Sequence, residues 1–296
     1  MAVTLSSVAV AAWRELGWGY VVKATGGSTT TLVDSNTLET ATDAKKGGTI
    51  IVVYDAGGAS AAPEGEFSRI SAFNAGTFTF TVDAALTAAI ASGDRVMIAN
   101  PKITLQNMID AINGALRDLG RITLINTSLT SAVQQTEYAL TVGLKQADII
   151  DVLYNTKLND TNDYQWESIK SQSRVETSAA GTSALLYLPQ LPTGRTIRII
   201  YEGTHPLLTA FSSVVSETIP EQLIIDAAIN KALTWFVSKR GESALGTFVL
   251  QRWNDAKQTL ANRKAEMPIF KAKPKPRYFV GRGGTHPYID SEHPIV

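Results

Sequence analysis

The sequence predicts an α+β protein in which a small α-helical bundle carries a β-sandwich domain, with an inserted small β-barrel domain near the N-terminus and an extended C-terminal arm. Three observations predict it. Apolar residues recur at the 3.6-residue period over 4–16, over 104–119 and twice within 216–267. Between these helices the period changes to two and glycine-rich turns appear, first over 20–99 and again over about 122–201. After Met267 no hydrophobic period remains, and lysines, prolines and glycines dominate. The division that follows is an N-terminal helix at 1–19, an inserted barrel at 20–100, a core helix at 101–120, a β domain at 121–215, a two-helix core segment at 216–267 and an arm at 268–296.

In the first helix Leu5, Val8, Ala12, Trp13 and Leu16 share a face, and Gly17 and Gly19 stop it. Candidate strands follow at 20–24, 29–34, 49–54, 66–73, 77–82 and 95–99, rich in threonine and β-branched residues. In the fifth of these, Phe78, Phe80 and Val82 point one way and Thr77, Thr79 and Thr81 the other, so one face is buried. Short, closely spaced strands of this kind suggest a small closed barrel or sandwich. Pro101 separates that unit from the next helix, where Leu105, Met108, Ile109, Ile112, Leu116 and Leu119 form the stripe. Thr104 suits its N-cap and Gly120 its C-terminal end.

The second β region alternates at Tyr138, Leu140 and Val142, at Ile150, Val152 and Tyr154, and at Ile197, Ile199 and Tyr201, with turns at 158–162 and 189–194. Two amphipathic helices then run back to back. The first places Ile219, Leu223, Ala227, Leu233 and Phe236 on its apolar face and Glu221, Asp226, Lys231 and Lys239 on its wet one. Pro220 fits its first turn, where a missing N–H costs nothing, and Glu221 suits the positive end of the helix dipole. Gly241 ends it, and the second helix, marked by Phe248, Arg252, Trp253, Ala256, Leu260 and Arg263, closes at Pro268.

Composition excludes several function classes. A formal net charge of +0 and a pI near 6.8 argue against wrapping nucleic acid by bulk electrostatics. The absence of cysteine removes disulfides, thiolate nucleophiles and sulfur metal sites, and fits a reducing cytoplasm. No apolar run approaches the roughly 20 residues that span a bilayer, and residues 1–16 lack the basic start of a signal peptide. No phosphate-binding glycine loop or nucleophile elbow occurs. His205, His286 and His293 each precede proline, which disfavours the helical pairing of many zinc sites and reads as turn structure. Asp160 and Asp163 suit either calcium or a solvated hairpin turn, and the stretch lacks the glycine and closing glutamate of an EF-hand loop. A hydrolase built on Glu64 and Glu66 lacks a second convergent group. Trp13, Trp18, Trp166, Trp235 and Trp253 are scattered, without the spaced arginines of a single-strand stacking platform, and read as packing residues. No catalytic residue, cofactor or metal is therefore expected. In the arm, bulky groups such as Tyr278, Phe279, Val280, Tyr288 and Ile289 favour docking on a partner over a purely solvated tail.

The order of elements resembles the head-to-tail adaptor, or connector, proteins of tailed bacteriophages. It is carried by the helix LQNMIDAINGALRDLG at 105–120, the strand RTIRIIYEG at 195–203 and the helix start IPEQLIIDAA at 219–228. The segment ATGGSTTTLVD at 24–34, with PEGE at 63–66 and Gly93-Asp94, is similar to β modules of phage structural proteins. The resemblance implies a virion protein of the neck, made in the host cytoplasm, whose copies form a ring, dodecameric like the portal. The ring would join the portal protein to a downstream tail or neck protein and continue the channel for DNA ejection. Double-stranded DNA would pass through its lumen without sequence-specific binding, and no membrane is involved. It also implies that the arm seats the subunit on the portal, through Lys271, Lys273, Lys275, Arg277, Tyr278, Phe279, Arg282 and Tyr288. Residues 20–99 exceed what a compact adaptor needs, so the alternative is a tail-associated or host-receptor- or polysaccharide-binding structural protein.

Overall fold

A computed structural model describes residues 3–58, 62–140, 144–157, 165–177, 184–241 and 246–266. Within them the chain is mixed α+β, with four α-helices and antiparallel sheets. Helix α1 spans Leu5–Glu15, α2 Leu105–Asp118, α3 Glu221–Arg240 and α4 Thr247–Glu266. The Thr4 hydroxyl accepts from the Ser7 N–H at 3.2 Å and the Thr104 hydroxyl from that of Asn107 at 3.3 Å, so both predicted helix starts are side-chain capped. Gly120 and Gly241 follow the ends of α2 and α3 with φ of 74° and 76°, a conformation glycine reaches without Cβ strain. Pro220 sits one position earlier than expected, as the N-cap of α3 rather than in its first turn.

Helix α3 is the centre. It packs on α1, α2 and α4, and the seven successive residues from Leu223 to Ile229 are all buried. This corrects the expected wet face: Asp226 is enclosed rather than solvated, because α4 covers the side that the charge pattern assigns to water. Helix α4 itself buries none of its residues fully and rests on α3 through half-buried Trp253, Ala256 and Leu260.

Residues 19–99 form one seven-stranded antiparallel sheet: β1 Gly19–Lys23, β2 Gly26–Gly27, β3 Thr31–Val33, β4 Thr49–Tyr54, β5 Phe67–Asn74, β6 Thr79–Val82 and β7 Arg95–Ala99. Its order is β1-β7-β4-β5-β6-β3-β2. The expected closed barrel is therefore corrected to an open sheet. Its end strands β1 and β2 do not pair, and a two-residue β2 offers little ladder with which to close the circle. Leu32, Ile50, Ile70, Phe73, Phe80 and Ile98 share a core of their own, while Ile51, Met97 and Ala99 face the helices. Phe78 departs from the expected alternation. It lies in the turn before β6 at φ 53°, 38% exposed, while Phe80 and Val82 go inward as predicted.

Beyond α2, a four-stranded antiparallel sheet is ordered β11-β10-β14-β8, from β8 Arg121–Thr130, β10 Ile149–Asn155, β11 Trp166–Ser168 and β14 Thr196–Thr204. A three-stranded one is ordered β12-β13-β9, from β9 Glu137–Leu140, β12 Arg174–Thr177 and β13 Ala184–Tyr187. Ile197 and Ile199 of the first and Tyr138 and Leu186 of the second join the same apolar cluster as the helices. The predicted alternation in β10 breaks at its start, because a bulge between Ile149 and Asp151 turns Ile149 rather than Ile150 into the core. Residues 205–218 return along the bundle. Val215 N donates to Val3 O at 2.8 Å, and Leu5 N and Ser6 N donate to Ser213 O at 2.9 Å and Phe211 O at 3.1 Å.

Candidate functional site

The eight arm residues singled out in the sequence, Lys271, Lys273, Lys275, Arg277, Tyr278, Phe279, Arg282 and Tyr288, lie outside the described residues, as do His286, His293, Asp160, Asp163 and Val142. What the structure places is the root of the arm. Arg263 pairs with Asp226 and Trp253 Nε1 donates to Thr234 Oγ1 at 3.0 Å, so α4 runs antiparallel to α3. Glu266, about one turn past Arg263, is then level with the first turn of α3.

The titratable groups that the sequence raised are committed to holding backbone. The Nε2 of buried His205 accepts from Ser216 N at 2.9 Å, so its Nδ1 carries the proton and donates to Pro206 O at 2.7 Å. Burial holds this imidazole below the usual histidine range, against the smaller opposing pull of the Pro206 carbonyl. Glu66 accepts from the N–H of Thr87 at 2.7 Å and from its hydroxyl, fastening a loop. Glu64 Oε2 accepts from Asp55 N at 3.3 Å. Fully buried Asp94 accepts from Ala56 N at 2.9 Å and Ala91 N at 2.7 Å. Burial is the main reason that the Tyr20 hydroxyl is pushed up to about 12, with the Glu39 and Asp34 carboxylates adding to it. Among the described residues, no three His, Asp or Glu side chains come together as metal ligands.

One concave surface lies against α3 and a second on the four-stranded sheet. A cleft of about 440 Å³ lies between the end of α1, α3 and α4, where Gln222 Nε2 donates to both Glu15 Oε1 and Asp226 Oδ1 at 3.2 Å and Arg252 donates to Glu15 O. Exposed Phe248 lines it. A groove of about 800 Å³ lies between the four-stranded sheet, from β8 across β14 to Trp166 of β11, and residues 205–218. Ile125 and Val214, 43% and 50% exposed, supply its apolar wall. Its cation is Arg198, stacked with its guanidinium 5.5 Å from the Trp166 ring, and the Nε of Arg198 is shielded from solvent without a hydrogen-bond partner. Glu217 is the carboxylate on its rim.

Four of the five tryptophans that look scattered in sequence carry cations in the fold, and Trp13 is a fully buried core residue. Lys239 lies 4.9 Å from the Trp235 ring, Arg240 5.7 Å from Phe236 and Lys257 3.1 Å from Trp253. All three are i, i+4 pairs on helices, a spacing that is legible in the sequence. The pairing of Lys102 with Trp18 at 5.6 Å, and of Trp18 with Phe236 at 5.0 Å, joins distant segments and is not. Among the described residues no helix is long and apolar enough to cross a membrane.

No family model matches the chain, and no curated protein is similar to it.

Proposed function

We propose that this chain is a virion structural protein whose copies form the ring between the portal vertex of a phage head and the tail, continuing the DNA channel. The observation that carries this reading is the enclosed helix α3, with α1, α2 and α4 around it and antiparallel sheets attached, in the element order that the resemblance implies. In this reading the two sheets of residues 121–215 face one another as a sandwich, and residues 20–100 are a unit inserted between the first two helices. Support also comes from exposed Val133, Leu207 and Phe248, 71%, 52% and 71% accessible, apolar groups that ring neighbours would cover in a heterologous contact. Lys271, Lys273, Lys275, Arg277, Tyr278, Phe279, Arg282 and Tyr288 would add a tethered contact with the portal, which raises the effective concentration of the subunit there.

Electron microscopy of this chain mixed with portal rings of the same phage tests the reading. The full chain is expected to add a second ring, and a chain cut after Met267 to leave the portal bare. A portal left bare by the full chain overturns the adaptor assignment.

A further inference from the structure

The arm carries its charges in two blocks. Lys271, Lys273, Lys275, Arg277 and Arg282 come first, and its carboxylate side chains, Asp290 and Glu292, follow beside Tyr288 and Ile289. The groove on the four-stranded sheet has the complementary pair of features: the Arg198 guanidinium, and the exposed apolar side chains Ile125 and Val214. It also lies beside the exit of the arm, since Thr218 lines it and precedes α3 by one turn, and Glu266 is level with the first turn of α3. The roughly 20 residues between Glu266 and Tyr288 reach about 65 Å when extended, so length does not limit the return.

We propose that this groove receives the acidic distal part of the chain's own arm, residues 288–292, with the Asp290 or Glu292 carboxylate on Arg198 and Ile289 against Ile125 and Val214. A carboxylate meeting the guanidinium end-on engages its two Nη groups, each bond strengthened by charge, while Nε stays shielded behind them. The Trp166 ring behind the guanidinium holds its plane for that fork. Neutral His205 adds no competing charge to the groove, and Glu217 on its rim selects against the basic block of the same arm. This placement is independent of the ring reading, because it concerns the free subunit.

The chain has no cysteine, so cross-links can be introduced singly. The full chain carrying Val214→Cys and Ile289→Cys, oxidised in dilute solution, is expected to close an intramolecular disulfide in about tenfold higher yield than one carrying Val214→Cys and Ala272→Cys. Adding Arg198→Glu to the first pair removes that excess, and reversing Asp290→Lys and Glu292→Lys on top of it restores the excess, which separates lost pairing from lost folding. Equal yields for the two cysteine pairs overturn the proposal. A disulfide found only between two molecules overturns it as well, and assigns the groove to the arm of a second copy.

Discussion

Asp226 and Arg263 meet across helices α3 and α4, the Arg263 Nε donating to a carboxylate whose side chain is 8% exposed while its own is 31% exposed. The Asp226 charge sits in the most enclosed helix of the fold, and it is met from the helix that buries none of its own residues. The pair is therefore one of the polar fastenings of α4, beside the Trp253–Thr234 and Arg252–Glu15 hydrogen bonds.

The two partners should differ in what their loss costs. Arg263→Ala leaves a buried carboxylate with only the Gln222 amide as partner and is expected to destabilise the protein by about 3 kcal/mol, whereas Asp226→Ala leaves a guanidinium that water reaches and costs less. Joint replacement, Asp226→Leu with Arg263→Met, is expected to be near neutral. Urea unfolding of the three variants checks this, and equal, additive costs would sink it.

His205 should make the fold acid-sensitive. Its folded pKa lies below the ordinary value of 6.5, so the unfolded chain binds the proton more readily. The stability involved is fully present above pH 6.5 and is lost as pH falls from there toward the folded value. Thermal unfolding followed from pH 8 downward is expected to show this loss, and His205→Asn to abolish it. By NMR the His205 imidazole should titrate below 6.5.

Glycine substitutions should rank by contact. A Cβ at Gly48 would stand 2.1 Å from the Ala99 carbonyl oxygen, which is backbone in a paired strand and cannot yield, so Gly48→Ala is expected to cost about 2–3 kcal/mol. At Gly26 a Cβ meets nothing within 4 Å, and Gly26→Ala should stay within about 0.5 kcal/mol of the parent. Chemical denaturation midpoints for the two variants would contradict this ranking if they coincided.

Phe67 of β5 and Phe211 of the returning segment stack with centroids 4.6 Å apart, tying the seven-stranded sheet to residues that also bond α1. A double-mutant cycle on Phe67→Ala and Phe211→Ala is expected to show about 1 kcal/mol of coupling. Coupling indistinguishable from zero would mean that the sheet is held to the returning segment by other contacts.

The sequence by itself determined the helices and the strands of residues 20–99, because each is set by short-range chemistry, while β8, β11, β12 and β13 carried no alternation that singled them out. Thr104 before an apolar stripe and Gly120 after it bound α2 as read, and β4 at Thr49–Tyr54 and β7 at Arg95–Ala99 coincide with their predicted runs. The i, i+4 spacing of Trp235 with Lys239 and of Trp253 with Lys257 was equally open to reading, since helix geometry alone brings such pairs together.

Tertiary structure decided what local pattern leaves undetermined. Whether a charged position faces water depends on which other helix lies over it, so Asp226 looked solvated until α4 covered it. Whether short strands close into a barrel depends on the pairing of the first and last of them, and β1 and β2 stay apart. The groove of Ile125, Arg198 and Val214 is assembled from segments far apart in the chain. No spacing rule brings such residues together, because only the packing of the sheet against the returning segment creates the concavity between them.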